Sequence, residues 1–199
     1  MIRFTDLSEE RPYKKFKESY EKAIDKKQSA IEAVSISSYN NELNEVESRF
    51  VNLKYIVKDE WIFFSNYNSA KSKSFKLHPQ ISAVFYWKRI NTQIRIKAKI
   101  YKTSGEFSDK HFASRSSEKN AIAISSNQSR LADSFDDIRA KYLATLNNKN
   151  LLQIRPTYWG GYSFKPYSFE FWTGNDFRLN KRSLYQKNKE NWDYYLLEP

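Results

Sequence analysis

The sequence predicts a mainly β (α+β) fold, an antiparallel barrel or sandwich with flanking helices, and three observations carry that reading. Gln93–Tyr101 alternates without a break, with Ile94, Ile96, Ala98 and Ile100 on one face and Gln93, Arg95, Lys97 and Lys99 on the other. This is the period-2 pattern of a strand with one buried side. Ile81–Trp87, ISAVFYW, is a nearly continuous apolar run of strand length, as a central buried strand requires. Arg49–Val57 and Trp61–Asn66 flank the tight turn Lys58-Asp59-Glu60 and read as a hairpin. Alternation joined by short turns favours antiparallel pairing, because parallel strands need long crossovers.

The other elements follow in chain order. Pro12 opens a helix that carries Phe16, Tyr20 and Ala23 on one face, four and three residues apart. Ser29–Ser37 reads as a strand closed by the turn Tyr39-Asn40-Asn41. Along Arg49–Val57, the residues Val51, Leu53, Tyr55 and Val57 share one face, and Asn52 and Lys54 the other. Ala70–Leu77 is a short helix that must stop before Pro79. A helix from Ser108 carries Phe112 inward, and Ser134 caps a helix over Phe135–Asn147 with Asp137 placed as in a capping box. The stretch Pro156–Arg182 is strand-rich. Phe177–Gln186 is read as a strand, which puts Arg178, Asn180 and Arg182 on one face and Phe177 and Leu179 on the other. Six or seven strands and three or four helices are expected, with no internal repeat and no long linker.

A chain of 199 residues suits one well-buried domain. Aromatic residues make up 17%, enough to build a core despite a mean hydropathy of −0.79. Lys and Arg number 34 against 23 Asp and Glu, a net charge of +11, which attracts anionic partners without choosing among them. The absence of cysteine excludes disulfides, thiolate metal sites and thiol nucleophiles. Two histidines, His78 and His111, are too few for a His-rich metal site. The N-terminus is charged from the start, and no stretch approaches the ~18–20 apolar residues of a membrane span. A cytoplasmic protein with no membrane partner is expected. No nucleic-acid motif accompanies the scattered cations, so nucleic acid is not expected either.

Two groups of residues invite an anion. His111, Arg115 and Lys119 stand four apart, one face of a helix if a single helix runs through them, and a phosphate clamp suits such a row. A solvated basic face accounts for the same spacing. A phosphate beside His111 favours its cation while the two neighbouring charges oppose it, which leaves the charge of the ring open. Arg178, Asn180 and Arg182 form the second group, a donor-rich strand face suited to an anion or a polar heterocycle. No GxGxxG, P-loop, HExxH or GxSxG motif occurs, so side chains must hold any nucleotide.

Tyr158-Trp159-Gly160-Gly161-Tyr162, Phe169-Glu170-Phe171-Trp172, Arg178-Leu179-Asn180-Lys181-Arg182 and Leu184-Tyr185-Gln186 resemble the C-terminal signature of pyridoxamine 5′-phosphate oxidases, and the resemblance runs from about Asp6 to Pro199. It implies a homodimer built on an FMN-binding split β-barrel. The implied domain is a single one over 1–199, with a dimerisation and substrate region at about 156–199. The implied reaction is FMN-dependent oxidation of pyridoxamine or pyridoxine 5′-phosphate, a phosphorylated pyridine, with dioxygen as acceptor.

Carried over residue by residue, the resemblance implies FMN contacts at Arg49, Phe64, Ser65, Ser69, Lys71, Gln93, Gln128, Ser129, Trp172 and Arg182. Arg49 and Lys71 can neutralise the FMN phosphate, Gln93 can meet a flavin edge and Trp172 can wall it. Lys54, His111, Arg115 and Lys119 fall where the family holds the substrate phosphate; His111 stands for a usual tyrosine and Lys119 for a usual serine. Arg178 falls where the family sets an arginine over the pyridine ring, the catalytic position, and Asn180 replaces a usual substrate-contacting histidine. Ala70 stands where a second arginine is common, and an Arg/Tyr-bearing N-terminal cover found in some members is not expected. A related FMN-binding oxidoreductase acting on a different substrate therefore stays open. Arg49 and Lys54 lie an odd number of residues apart, so one regular strand would face them oppositely and they are expected to touch different ligands.

Overall fold

The computed structural model describes residues 1–199. After β1 (Arg3–Thr5), α1 (Arg11–Asp25) has Pro12 in its first turn and buries Tyr13, Phe16, Tyr20 and Ala23, the face its spacing predicts. β2 (Ala33–Asn40) pairs antiparallel with β3 (Glu45–Asn52). The strand expected at Ser29–Ser37 thus lies further along. Lys27 and Ala30 take positive φ in the turns before it, and the Asn40 side chain closes it by accepting from the backbone N–H groups of Glu42 and Leu43.

The strand expected over Arg49–Val57 is two strands, β3 and β4 (Tyr55–Val57). Between them Leu53 N–H donates to Glu32 O and Lys54 N–H to Ile62 O, so the chain changes partners here. The alternation resets across the break. Leu53 and Ile56 are fully buried, whereas Val51, Tyr55 and Val57 are half-buried, a correction to the single face that the sequence pattern gives Val51, Leu53, Tyr55 and Val57. The break also removes the parity conflict between Arg49 and Lys54. β5 (Glu60–Asn66) returns antiparallel to β4, as the turn predicts. α2 (Ala70–Leu77), β6 (Gln80–Trp87) and β7 (Thr92–Lys102) follow, with Ile94, Ile96, Ala98 and Ile100 buried.

α3 (Gly105–Ala113) begins three residues before Ser108 because the Ser104 hydroxyl caps it, accepting from Phe107 N–H. Phe112 is buried as expected. The helix stops at Ala113, and the chain turns through Ser114–Ser116 into α4 (Ser117–Ser125). His111, Arg115 and Lys119 therefore do not share one helix face. α5 (Phe135–Asn147) is capped by Ser134, which accepts from Asp137 N–H at 3.0 Å and donates to its carboxylate at 2.7 Å.

β8 (Trp159–Thr173) is the spine of the sheet. It pairs with β7 over Tyr162–Thr173, with β5 over Trp159–Phe164, and with β9 (Lys181–Asn188) over Ser168–Thr173; β10 (Asn191–Leu197) closes on β9. The order is β1-β4-β5-β8-β7-β6-β2-β3, with β9 and β10 branching from β8, and only the β1–β4 pair is parallel. Ten strands exceed the six or seven expected: β1 and β4, of three residues each, are too short to leave a periodic pattern, and β10 is a further strand beyond those read from the sequence. Residues 177–180 are not strand. A 3₁₀ turn covers Asp176–Arg178, with φ of 57° at Phe177 and 62° at Arg178. The Oδ1 atoms of Asn175 and Asn180 hold this turn by accepting from the backbone N–H groups of Asp176 and Asn175 respectively. The shared face proposed for Arg178, Asn180 and Arg182 is thereby lost, and Phe177 is fully exposed.

The core is a cluster of 26 buried residues on the inner face of the sheet and on α1. Phe16 sits at its centre, with ring centroids 4.4 Å from Trp61, 5.3 Å from Phe85 and 5.4 Å from Trp87. Edge-on and tilted aromatic contacts of this kind add to plain area burial. No helix is long and apolar enough to cross a membrane.

Candidate active site

An open cleft of about 730 Å³ lies among β3, β4, β5, α3 and the start of α4. Its floor is aromatic. The His111 ring stacks on Phe64 at 3.6 Å and 13°, and Trp159 lies nearly parallel behind, 5.4 Å from Phe64. Five cationic side chains line it, Arg3, Lys54, Lys71, Arg115 and Lys119, against one carboxylate, Glu32. Glu32 is already engaged, 3.9 Å from Lys54 Nζ and 3.5 Å from the N-terminal ammonium.

Arg115 lies over the Trp159 ring at 4.2 Å, a cation–π contact. Its Nη2 donates to Lys119 O at 2.5 Å, while its Nη1 is buried without any acceptor. Burial alone lowers the guanidinium to about 10. His111 Nδ1 lies 2.9 Å from the Tyr55 hydroxyl. Burial first, and then the charges of Arg115, Lys54, Arg3 and Lys119, push His111 down to about 4, so the ring is neutral near pH 7. A buried guanidinium N–H with no acceptor is costly.

Lys71, on the first turn of α2, forms the back wall. Its Nζ donates to Ser65 Oγ and Ser69 Oγ, both at 3.1 Å, and the side chain is buried. Burial, with Arg49 nearby, lowers it to about 8. Arg49 itself is held by Ser38 Oγ at 2.7 Å and Glu47 at 2.8 Å. Gln128 accepts from Asn66 N–H at 3.4 Å, and Ser129 follows it at a φ of 68°. Two hydroxyls do not compensate a buried ammonium. This donor set, two cations and several hydroxyls with no carboxylate on Lys71, fits the phosphate of a cofactor such as FMN.

The remaining nominated residues lie elsewhere. Gln93, Trp172 and Arg182 stand opposite one another on β7, β8 and β9. Arg182 pairs with Glu170 at 2.9 Å and donates to Glu198 O. Arg178 is exposed on its turn, and Asn180 Oδ1 accepts from Asn175 N–H. Trp172 is 172 − 159 = 13 residues from Trp159 along β8, on the order of 40 Å of strand. Within one chain, then, Lys54, Phe64, Ser65, Lys71, His111, Arg115, Lys119 and Gln128 meet in the cleft, with Ser69 and Arg49 behind Lys71. Gln93, Trp172, Arg178, Asn180 and Arg182 do not reach it. Tyr55, Arg3 and Trp159 were not nominated. The sequence pattern puts Tyr55 on one face with Val51, Leu53 and Val57, away from Lys54; the strand break at Leu53-Lys54 abolishes that face, and no local pattern marks the break.

Known proteins match this chain over nearly its full length. A pyridoxine/pyridoxamine 5′-phosphate oxidase of Hydrogenovibrio crunogenus is 33% identical over 201 residues, covering 100% of this chain and 92% of the relative. The chain belongs to the pyridoxine/pyridoxamine 5′-phosphate oxidase family. A second family member, from Haemophilus influenzae, is 33% identical over 96% of this chain and 90% of its own. A family model described as the pyridoxine 5′-phosphate oxidase C-terminal dimerisation region matches residues 159–199. Among solved structures, PhzG from Burkholderia lata in complex with tetrahydrophenazine-1-carboxylic acid has a TM-score of 0.88 at 23% identity, covering 95% of this chain and 93% of its own. A pyridoxamine 5′-phosphate oxidase-related, FMN-binding protein from Nostoc punctiforme has a TM-score of 0.76 at 10% identity, over 92% and 97%. The fold is the split β-barrel of the oxidase family, as the sequence resemblance implies.

Proposed function

We propose that the chain is a single-domain, FMN-dependent oxidase that converts pyridoxamine or pyridoxine 5′-phosphate to pyridoxal 5′-phosphate with dioxygen. The observation that carries this reading is the cleft itself, in which five cationic side chains over an aromatic floor face one carboxylate that is already engaged. FMN, when bound, would supply the hydride acceptor and return its electrons to dioxygen.

The chain's own residues do the rest. Lys71, Arg49, Ser65 and Ser69 would take the FMN phosphate, and Phe64, Gln128 and Ser129 would flank it. Lys54, Arg115 and Lys119 would bind the substrate phosphate by charge-assisted hydrogen bonds, with His111 as a neutral fourth donor. Gln93, Trp172 and Arg182 would complete the flavin site, and Arg178 would orient the ring of the substrate, all from the second subunit of a homodimer. Held in that way, the reacting carbon gains from positioning rather than from any protein-borne base.

The test compares kcat/KM for pyridoxine 5′-phosphate and pyridoxine in wild type and Arg115→Ala, with peroxide as the readout. Wild type should prefer the phosphorylated substrate strongly. Arg115→Ala should lose about ten- to a hundred-fold for the phosphorylated substrate and little for pyridoxine. Equal use of both substrates by wild type would remove the phosphate reading. A second reading, an FMN-binding oxidoreductase for a different anionic ring, is favoured by Asn180, whose Oδ1 is occupied by Asn175 N–H. Flavin-coloured protein that turns over neither vitamer would support it.

A further inference from the structure

Tyr55 stands next to Lys54 on the wall of the cleft, and both it and His111 line the cavity. The hydroxyl of Tyr55 lies 2.9 Å from His111 Nδ1, and the two rings meet edge to face at 5.4 Å and 86°. Tyr55 also meets Phe107 edge to face at 5.4 Å and 80°. His111 cannot turn away, because its ring is stacked on Phe64 at 3.6 Å. The Tyr55 hydroxyl has no other hydrogen-bond partner in the chain, and His111 Nε2 has none at all.

We propose that Tyr55 is a positioning residue that fixes His111 as the neutral tautomer with its proton on Nε2, so that the ring donates a hydrogen bond to the phosphate held in the cleft. The inference deepens the phosphate reading above and rests on it. A neutral imidazole has one N–H and one bare nitrogen, and its partner at one nitrogen decides the other. A phenol has one proton to give, and here Nδ1 is the only acceptor within the chain that it reaches. Giving it to Nδ1 leaves the imidazole proton on Nε2. In the empty cleft, protonating both nitrogens is opposed by burial and by the cations that face the ring, Arg115 and Lys119 after α3, Lys54 beside β4 and Arg3 on β1. Phe64 and Trp159 bring no charge. A phosphate dianion has only acceptor oxygens to offer the ring, so a bare Nε2 would repel it and a protonated one would bind it.

The protein as purified is tested by the nitrogen chemical shifts of its histidines. Only His78 and His111 contribute, and a His78→Gln variant assigns them. In wild type at pH 7, His111 should show a protonated Nε2 and a bare Nδ1, and Tyr55→Phe should give a mixture of tautomers. Binding of inorganic phosphate, and KM for pyridoxine 5′-phosphate, should weaken by about two- to tenfold in Tyr55→Phe, with kcat kept. The double variant Tyr55→Phe/His111→Tyr should recover phosphate affinity, because a phenol at 111 needs no partner to fix its donor. A proton on Nδ1 in wild type overturns the inference. So does a Tyr55→Phe protein with the wild-type tautomer and unchanged phosphate affinity. Wild type that binds neither inorganic phosphate nor pyridoxine 5′-phosphate overturns the phosphate reading together with the inference, whereas failure confined to the Tyr55 comparison leaves that reading intact.

Discussion

Lys71 is the residue whose environment makes its ligand testable without turnover. Burial and the nearby Arg49 lower it to about 8, against ~10.4 for a free lysine. In the free protein the charged form therefore costs stability below about pH 8, and that cost fades as the pH rises from there toward the unfolded value. A phosphate dianion beside Nζ acts in the opposite sense and favours the ammonium. Binding FMN at pH 8.5 should then take up a proton, up to about one per site, while at pH 6.5 Lys71 is already charged and uptake through it vanishes. Titration calorimetry in two buffers of different ionisation enthalpy measures this directly. Lys71→Arg, charged at both pH values, should abolish the uptake; a buffer-independent heat in wild type at pH 8.5 would separate Lys71 from the phosphate.

At the scale of elements, what could be read from the sequence was what repeats. The alternation of Gln93–Tyr101, the apolar spacing of Phe16, Tyr20 and Ala23 and the Ser134 cap each reappear as β7, α1 and α5. What could not be read was where a pattern breaks. Leu53-Lys54 looks like mid-strand, yet the chain there exchanges Glu32 for Ile62 as its backbone partner, a tertiary choice no window of sequence records. His111, Arg115 and Lys119 converge on the cleft although the helix expected to align them ends at Ala113. Lys54, Phe64, Ser65, Lys71, His111, Arg115, Lys119 and Gln128, which line the cleft, are among the residues that the family resemblance names; their grouping was not legible, because it depends on which strand neighbours which.

One packing contact at this scale supports the aromatic floor. Gly161 on β8 stands opposite Phe64 on β5, and a Cβ there would lie 2.5 Å from Thr103 Oγ1 and 3.2 Å from the Phe64 ring. Gly161→Ala should destabilise the protein by about 1–3 kcal/mol, the usual cost of overpacking, and should disturb the stack under His111. At Gly105 a Cβ would meet only Arg155 Nη2 at 3.8 Å. Gly105→Ala, at the start of α3, should be neutral or slightly stabilising. Denaturant unfolding of the two variants checks the pair: equal stabilities would mean that the close approach of β8 to Phe64 is not needed.

At the scale of the whole molecule, the two ends of β8 pose the question of assembly. The cleft gathers Lys54, Lys71, His111 and Arg115 near Trp159, whereas Gln93, Trp172, Arg178 and Arg182 sit near Thr173. One small ligand cannot touch both sets within one chain. A two-fold homodimer can bring the distal set of one subunit to the cleft of the other. The region matched by the dimerisation model, residues 159–199, contains the distal set apart from Gln93, and it exposes Phe177, Leu179 and Leu196, apolar groups that a partner would cover. The protein should therefore sediment at twice the 23.7 kDa of the chain. A sharper test co-expresses two differently tagged subunits, one Arg115→Ala and one Arg178→Ala, and isolates the doubly tagged heterodimer. If each site draws Arg115 from one subunit and Arg178 from the other, one site carries both defects and its twin carries none. The heterodimer should then show about half of wild-type activity, while each mutant homodimer stays far below it. A heterodimer no more active than the mutant homodimers would place Arg115 and Arg178 in the site of the same chain, and the shared-site assembly would fall.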